Sequence, residues 1–138
     1  MKVFLDSDII LDFLLKREPF FIEALQLFIL KEKEGFKLYT SAIIISNVYY
    51  ISSKQFPKPL IKQKIKELAS IIQIVDSTRQ SIYQSFESDF SDFEDAIQYH
   101  TALESKCTFL ITRNTKDFKK AKNIRVLTSS QFCKLFVK

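Results

Sequence analysis

Short apolar runs alternate along this chain with longer stretches whose apolar residues recur every three or four positions. The run Lys2–Leu5 (KVFL) is rich in strand formers and stops at polar Asp6-Ser7-Asp8, the pattern of a buried parallel strand. Ile9, Ile10, Phe13 and Leu14 then repeat at helical spacing, and Ser7 or Asp8 is placed to cap that helix. Pro19 suits the first turn of a second helix with an apolar stripe through Phe20, Ala24, Leu27, Phe28 and Leu30. Gly35, the chain's one glycine, falls where that helix needs a left-handed terminator. Residues 36–40 alternate as a second strand, and Ser41 caps a helix through residues 42–54. Pro57 and Pro59 separate it from an amphipathic helix over 60–72, followed by a strand at 72–75. A helix over 78–88, an acidic helix over about 92–105, strands at 107–112 and 124–127, and a closing helix over 129–138 complete the pattern.

Strands that alternate with helices predict an α/β fold: a mostly parallel sheet of about five strands, covered on both faces in three α/β/α layers. No repeat, linker or low-complexity tract interrupts the pattern, so residues 1–138 read as a single domain. Sites in such folds form beyond the C-terminal ends of strands. That rule selects Asp6 after the first strand, and Thr112 with Arg113-Asn114 after the fourth.

Composition adds little to the fold and more to the chemistry. With 46% apolar residues, one glycine and three prolines, the chain is globular rather than disordered or fibrous. Its net charge is +5, unevenly spread. Residues 106–138 carry nine Lys or Arg against one acid, Asp117, whereas residues 86–95 carry five acids and no base. A basic surface beside an acidic pocket points to a polyanion held near a cation; a solvated charged face is the plain alternative. Cys107 and Cys133 lack CxxC spacing, which favours reduced thiols in a cytoplasmic protein. With His100 as the one histidine, zinc is disfavoured. The N-terminus lacks a signal peptide's apolar region, and no apolar run approaches the ~20 residues needed to cross a membrane.

The acids divide by position. Asp95 lies inside the acidic helix, where capping explains it poorly. Asp92, three residues earlier, serves as an N-cap or as a second carboxylate on the same face. Asp8 is better explained as a cap, and His100 is off the face of Asp95. If Asp6 and Asp95 meet, two carboxylates about 4 Å apart repel by roughly 4 kcal/mol at an effective dielectric near 20. A shared proton or a cation must then sit between them. Oxygen donors without Cys or His select Mg²⁺ or Mn²⁺, which can bind phosphate and activate water.

Four stretches in order, "VFLDSDIILDFLL", "LYTSAIIISNVYYI", "DFEDAIQYHTAL" and "FLITRNTKDF", resemble the motifs of the PIN domain family, the metal-dependent ribonuclease fold of VapC-like toxins. The resemblance covers almost the whole chain. It implies an acidic cluster that binds Mg²⁺ or Mn²⁺ and hydrolyses RNA, an antitoxin partner that covers the acidic pocket, and frequent homodimers. Asp6 matches the family's first acid and Asp95 the third. Asn114 matches a position that is Asp or Asn, with Asp117 able to support a carboxylate there. Ser7 and Thr112 match small hydroxyl positions beside the cluster, and Arg113 and Lys116 stand next to it as substrate-binding cations. The departure is Asn47, which replaces a usual Glu and leaves an amide oxygen as the metal ligand. Asp92 or Asp8 is the candidate to replace the missing charge.

The stripe Phe20, Phe21, Leu25 and Phe28 and the tail Phe132, Leu135 and Phe136 exceed the obvious needs of one small core, which agrees with a dimer. Asn47 and Asn114 together support a different class of function, a PIN-like module that binds RNA or protein without cleaving. A receiver-type α/β protein fits less well, because "LYTS" ends without an Asp and "FLITRN" lacks a Lys.

Overall fold

Val3, Phe4 and Leu5 are fully buried, so the first strand is wrapped on both faces, as its apolar run predicts. In the computed structural model, which describes residues 1–137, it is β1 (Lys2–Leu5). The other strands are β2 (Lys37–Ser41), β3 (Gln73–Val75), β4 (Phe109–Ile111) and β5 (Arg125–Leu127). They form one sheet in the order β3-β2-β1-β4-β5, with every pairing parallel. The helices are α1 (Ser7–Leu14), α2 (Phe21–Glu34), α3 (Ala42–Ser52), α4 (Lys58–Leu68), α5 (Arg79–Phe86), α6 (Phe93–Glu104) and α7 (Ser129–Lys134). Together they make the three-layer α/β/α arrangement.

The strand order reverses between β1 and β4. The chain leaves β1 toward β2 on one side and returns to β4 on the other. This is the switch point where loops diverge and a crevice opens. The register Leu5↔Ile111 aligns the two strand ends. The Asp6 N–H continues the ladder by donating to the Ile111 carbonyl at 3.0 Å. Asp6 and Thr112 are therefore neighbours by construction.

Several boundaries differ from the sequence pattern, each for a local reason. Asp6, not Ser7 or Asp8, is the N-cap of α1, and its side chain accepts from the Ser7 N–H. Pro19 precedes α2 in a turn instead of opening the helix. Pro59 lies in the first turn of α4, where its missing N–H costs nothing, so that helix starts earlier than the proline pair implied. After β4 a 3₁₀ turn, Thr115–Phe118, takes up residues to which the sequence pattern assigns no element. The terminal helix stops at Lys134, short of residue 138, which lies outside the described residues. Gly35 ends α2 at φ 76°, as its position foretold.

Much of the proposed apolar surplus goes into the core. Phe132 is fully buried and packs edge-on against Phe36 and Phe109, with ring centroids 5.2 and 5.1 Å away. Phe136 joins it at 5.3 Å, and Phe28 stacks on Phe13 at 4.0 Å. Among the described residues, no helix is long and apolar enough to cross a membrane.

Candidate active site

Beyond the ends of β1 and β4 lies a cavity of about 150 Å³ lined by Asp6, Ser7, Asp8, Ile44, Asp92, Glu94, Asp95, Gln98 and Asn114. Three segments build it. The β1–α1 junction brings Asp6, Ser7 and Asp8; the start of α6 brings Asp92, Glu94, Asp95 and Gln98; the turn after β4 brings Asn114.

Asp6 is held on both oxygens. Oδ1 accepts from the Ser7 N–H at 2.8 Å, and Oδ2 from the Thr112 hydroxyl at 2.9 Å. Thr112 is fully buried, and its Oγ1 in turn accepts from the Asn114 N–H at 3.1 Å. The hydroxyl has one proton, so its longer 3.4 Å approach to Asp8 Oδ2 is secondary. Burial pushes Asp6 up to about 6, with the charge of Asp8 adding and the bonds from Thr112 and Ser7 opposing. Asp95, half-buried, is pushed up to about 7, first by burial and then by Asp6, Asp92, Asp117 and Glu94 in that order. Asp6 is thus the strongest of the carboxylates that act on Asp95. The two residues predicted to converge do so.

Of the other predicted residues, Ser7, Asp8, Asp92 and Asn114 line the same cavity, whereas Asn47, Arg113, Lys116 and Asp117 do not. Asp92 is the N-cap of α6, and its Oδ1 accepts from the Asp95 N–H at 2.9 Å while the residue lines the cavity rim. Asp8 Oδ2 accepts from the Arg113 N–H at 2.9 Å, and burial raises its pKa. Asn47 is not among the residues lining the cavity. Its Nδ2 donates to Glu94 Oε1 at 2.7 Å. The carboxylate bonded to Asn47 is Glu94, while Asp92 and Asp8, the expected replacements for its missing charge, both line the cavity. Asp117 and Lys116 are exposed on the 3₁₀ turn and line an adjoining cavity with Arg113, Asn114 and Thr115.

Arg113 also departs from expectation. Its Nε and Nη2 donate to the two oxygens of Asp12 at 2.8 and 3.2 Å, and its guanidinium lies 3.8 Å over the Phe20 ring. Asp12 is 1% exposed and also pairs with Arg17 at 3.2 Å. The side chain expected to hold substrate is paired with Asp12, and its backbone N–H reaches the site through Asp8 Oδ2. Sequence reasoning passed over Asp12, Glu94 and Gln98. Gln98 could have been found, because it lies one helical turn from Asp95. Nothing local announces the pairing of Asp12 with Arg113.

Every donor in the cavity is nitrogen or oxygen of an amide, hydroxyl or carboxylate, a hard set suited to Mg²⁺ or Mn²⁺. Among the described residues, no three Asp, Glu, His or Cys side chains converge closely enough to hold an ion by themselves.

A parallel α/β/α sheet with paired acids at its switch point defines the class of protein. Residues 2–116 match the family model for the PIN domain, and this chain belongs to that family. Ribonuclease VapC1 of Aquifex aeolicus is 31% identical over 96% of this chain and 93% of its own length. A chain of a toxin–antitoxin complex from Klebsiella pneumoniae is 25% identical, with TM-score 0.66 over 92% of this chain and 97% of that one. A chain in the structure of VapBC2 from Rickettsia felis bound to a promoter DNA fragment is 20% identical, with TM-score 0.69 over 91% and 97%.

Proposed function

We propose that this chain, read as one nuclease domain over residues 1–138, is a divalent-metal-dependent endoribonuclease that hydrolyses RNA phosphodiester bonds. The observation that carries the reading is the meeting of Asp6 and Asp95, far apart in sequence, in one acidic cavity at the switch point. The ribonuclease to which the chain is 31% identical supports the same activity. Asp6 and Asp95 would hold Mg²⁺ or Mn²⁺, with Asn114 and Asp92 at the rim. A bound ion supplies Lewis acidity toward phosphate and a water acidic enough to be a nucleophile at neutral pH. The chain's own contribution is orientation: Thr112 and Ser7 fix the Asp6 carboxylate, and Asp92 fixes the first turn that carries Asp95. Lys116 and the neighbouring Lys119, Lys120 and Lys122 offer exposed positive charge to an RNA backbone.

The biological role follows the relatives. We infer a cytoplasmic toxin, two free thiols being compatible with a reducing compartment, neutralised by an antitoxin that covers the acidic cavity with a basic side chain. Exposed Ile22 and Ile29 on α2 and Tyr50 and Ile51 on α3 support self-association as a homodimer.

A second reading has its own support. With neutral Asn47 and Asn114 where the family commonly has acids, the chain could bind RNA or protein and not cleave. Labelled RNA incubated with Mn²⁺ or EDTA, beside the Asp6→Asn, Asp95→Asn double variant, separates the two. Metal-dependent cleavage absent from the double variant supports the nuclease. Binding without cleavage in either condition supports the module.

A further inference from the structure

Gln98 is 2% exposed on α6, yet half of its amide is unused. Its Oε1 accepts from the Ser41 hydroxyl at 2.7 Å. Ser41 Oγ in turn accepts from the Ile44 N–H at 3.0 Å as the N-cap of α3. The lone proton of that hydroxyl is therefore spent on Gln98, which sets the direction of the amide. The reversed amide would leave the Ser41 proton without an acceptor. In the observed orientation Nε2 is buried and lacks a partner, and Gln98 lines the acidic cavity. Its neighbours there include Asp6, Asp8, Asp92, Glu94 and Asp95, which offer only acceptors when ionised. Even so, none of them accepts a hydrogen bond from Nε2. A buried donor is costly to leave unpaired, so its retention here points to an acceptor that arrives from outside.

We propose that Gln98 is a substrate-binding residue of this site, and that its side-chain N–H groups donate to a non-bridging oxygen of a nucleic-acid phosphate. The proposal rests on the nuclease reading above and adds the group that receives the phosphate. In a cavity dominated by negative charge, an entering phosphate needs a fixed donor besides any cation. Gln98 provides one without bringing a counter-charge that would pair with Asp6 or Asp95. Ser41 acts as the positioning residue, because it fixes which end of the amide faces the cavity.

The test follows the Gln98 side-chain amide by ¹⁵N–¹H NMR in the intact wild-type chain, with the resonance assigned by its loss in Gln98→Met. Adenosine 5′-monophosphate, which carries a phosphate but cannot be hydrolysed as a diester, is added with Mg²⁺; adenosine with Mg²⁺ and Mg²⁺ alone are the controls. The proposal predicts a downfield shift of the Gln98 amide protons with the monophosphate only. It is overturned if Mg²⁺ alone gives the same shift, since the acceptor is then metal-bound water. It is also overturned if Asp6 and Asp95 backbone signals respond to the monophosphate and the Gln98 amide does not. If no signal in the cavity responds to metal or nucleotide, the nuclease reading falls with it. Kinetics give a second readout. Gln98→Met should lower kcat/KM on RNA about 10- to 100-fold, the effect of one bond to a charged acceptor, with Mn²⁺ affinity within twofold of wild type. Parallel loss of metal affinity would assign Gln98 to the metal site and overturn the proposal.

Discussion

At the scale of single residues, the surroundings of Asp6 and Asp95 work against their charge. Both bind a proton more tightly in the fold, at about 6 and about 7, than the ordinary carboxylate at 3.8. The folded chain therefore holds protons that the unfolded chain has released between about pH 4 and pH 7. These two groups accordingly contribute stability at low pH that is lost as pH rises through their folded values. Thermal melts without metal should show Tm falling across that window, with a flatter fall in Asp6→Asn. Added Mg²⁺ should raise Tm at pH 7.5 and have little effect at pH 5, because the ion must displace those protons. Arg113 acts in the opposite direction, as a counter-charge. Its removal leaves Asp12, 1% exposed, with only the half-exposed Arg17. Arg113→Ala should lower unfolding free energy by about 3 kcal/mol in a urea titration. A change under 1 kcal/mol would show that Arg17 alone is a sufficient partner.

At the scale of elements, α6 does two jobs with one residue. Asp92 caps it through the Asp95 N–H, and that bond sets the first turn from which Asp95 faces Asp6. Replacement separates cap from charge. Asp92→Ala should cost about 1 kcal/mol, whereas Asp92→Ser should keep stability within about 0.5 kcal/mol. Cleavage by the Ser variant should stay within a few-fold of wild type if the carboxylate serves only the cap. A large loss would make Asp92 a ligand as well. The sheet was legible at this scale because buried parallel strands leave plain apolar runs, as in Val3-Phe4-Leu5. The 3₁₀ turn at Thr115–Phe118 was not legible, since four polar-rich residues carry no period to distinguish turn from loop.

At the scale of the molecule, the sheet order decides which distant residues meet. Asp6 and Asn114 were readable because strand ends can be located from the pattern, whereas Asp95, inside a helix, was assigned through the resemblance of its motif to that of the family. The partners of Asn47 and Arg113 were not readable: a hydrogen bond to Glu94 and a pair with Asp12 depend on side-chain direction, which periodicity leaves open. The same distinction corrects the dimer argument. Phe28 and Phe132, counted as surplus from the sequence, are buried, whereas Leu135 stays exposed; Ile22 and Ile29 on α2 and Tyr50 and Ile51 on α3 are exposed as well. Sedimentation at micromolar concentration should give twice the 16.2 kDa of one chain. A 16.2 kDa species would remove the dimer and leave the active-site account intact.

The account depends most on one divalent ion shared by two carboxylates from distant parts of the chain. A crystal grown near pH 7.5 and soaked in Mn²⁺, read by anomalous scattering, locates that ion directly. The prediction is a peak in the acidic cavity about 2.1 Å from an oxygen of Asp6 and an oxygen of Asp95, with waters or Asn114 completing the shell. Mn²⁺ bound elsewhere, or ligated by only one of the two acids, would contradict it.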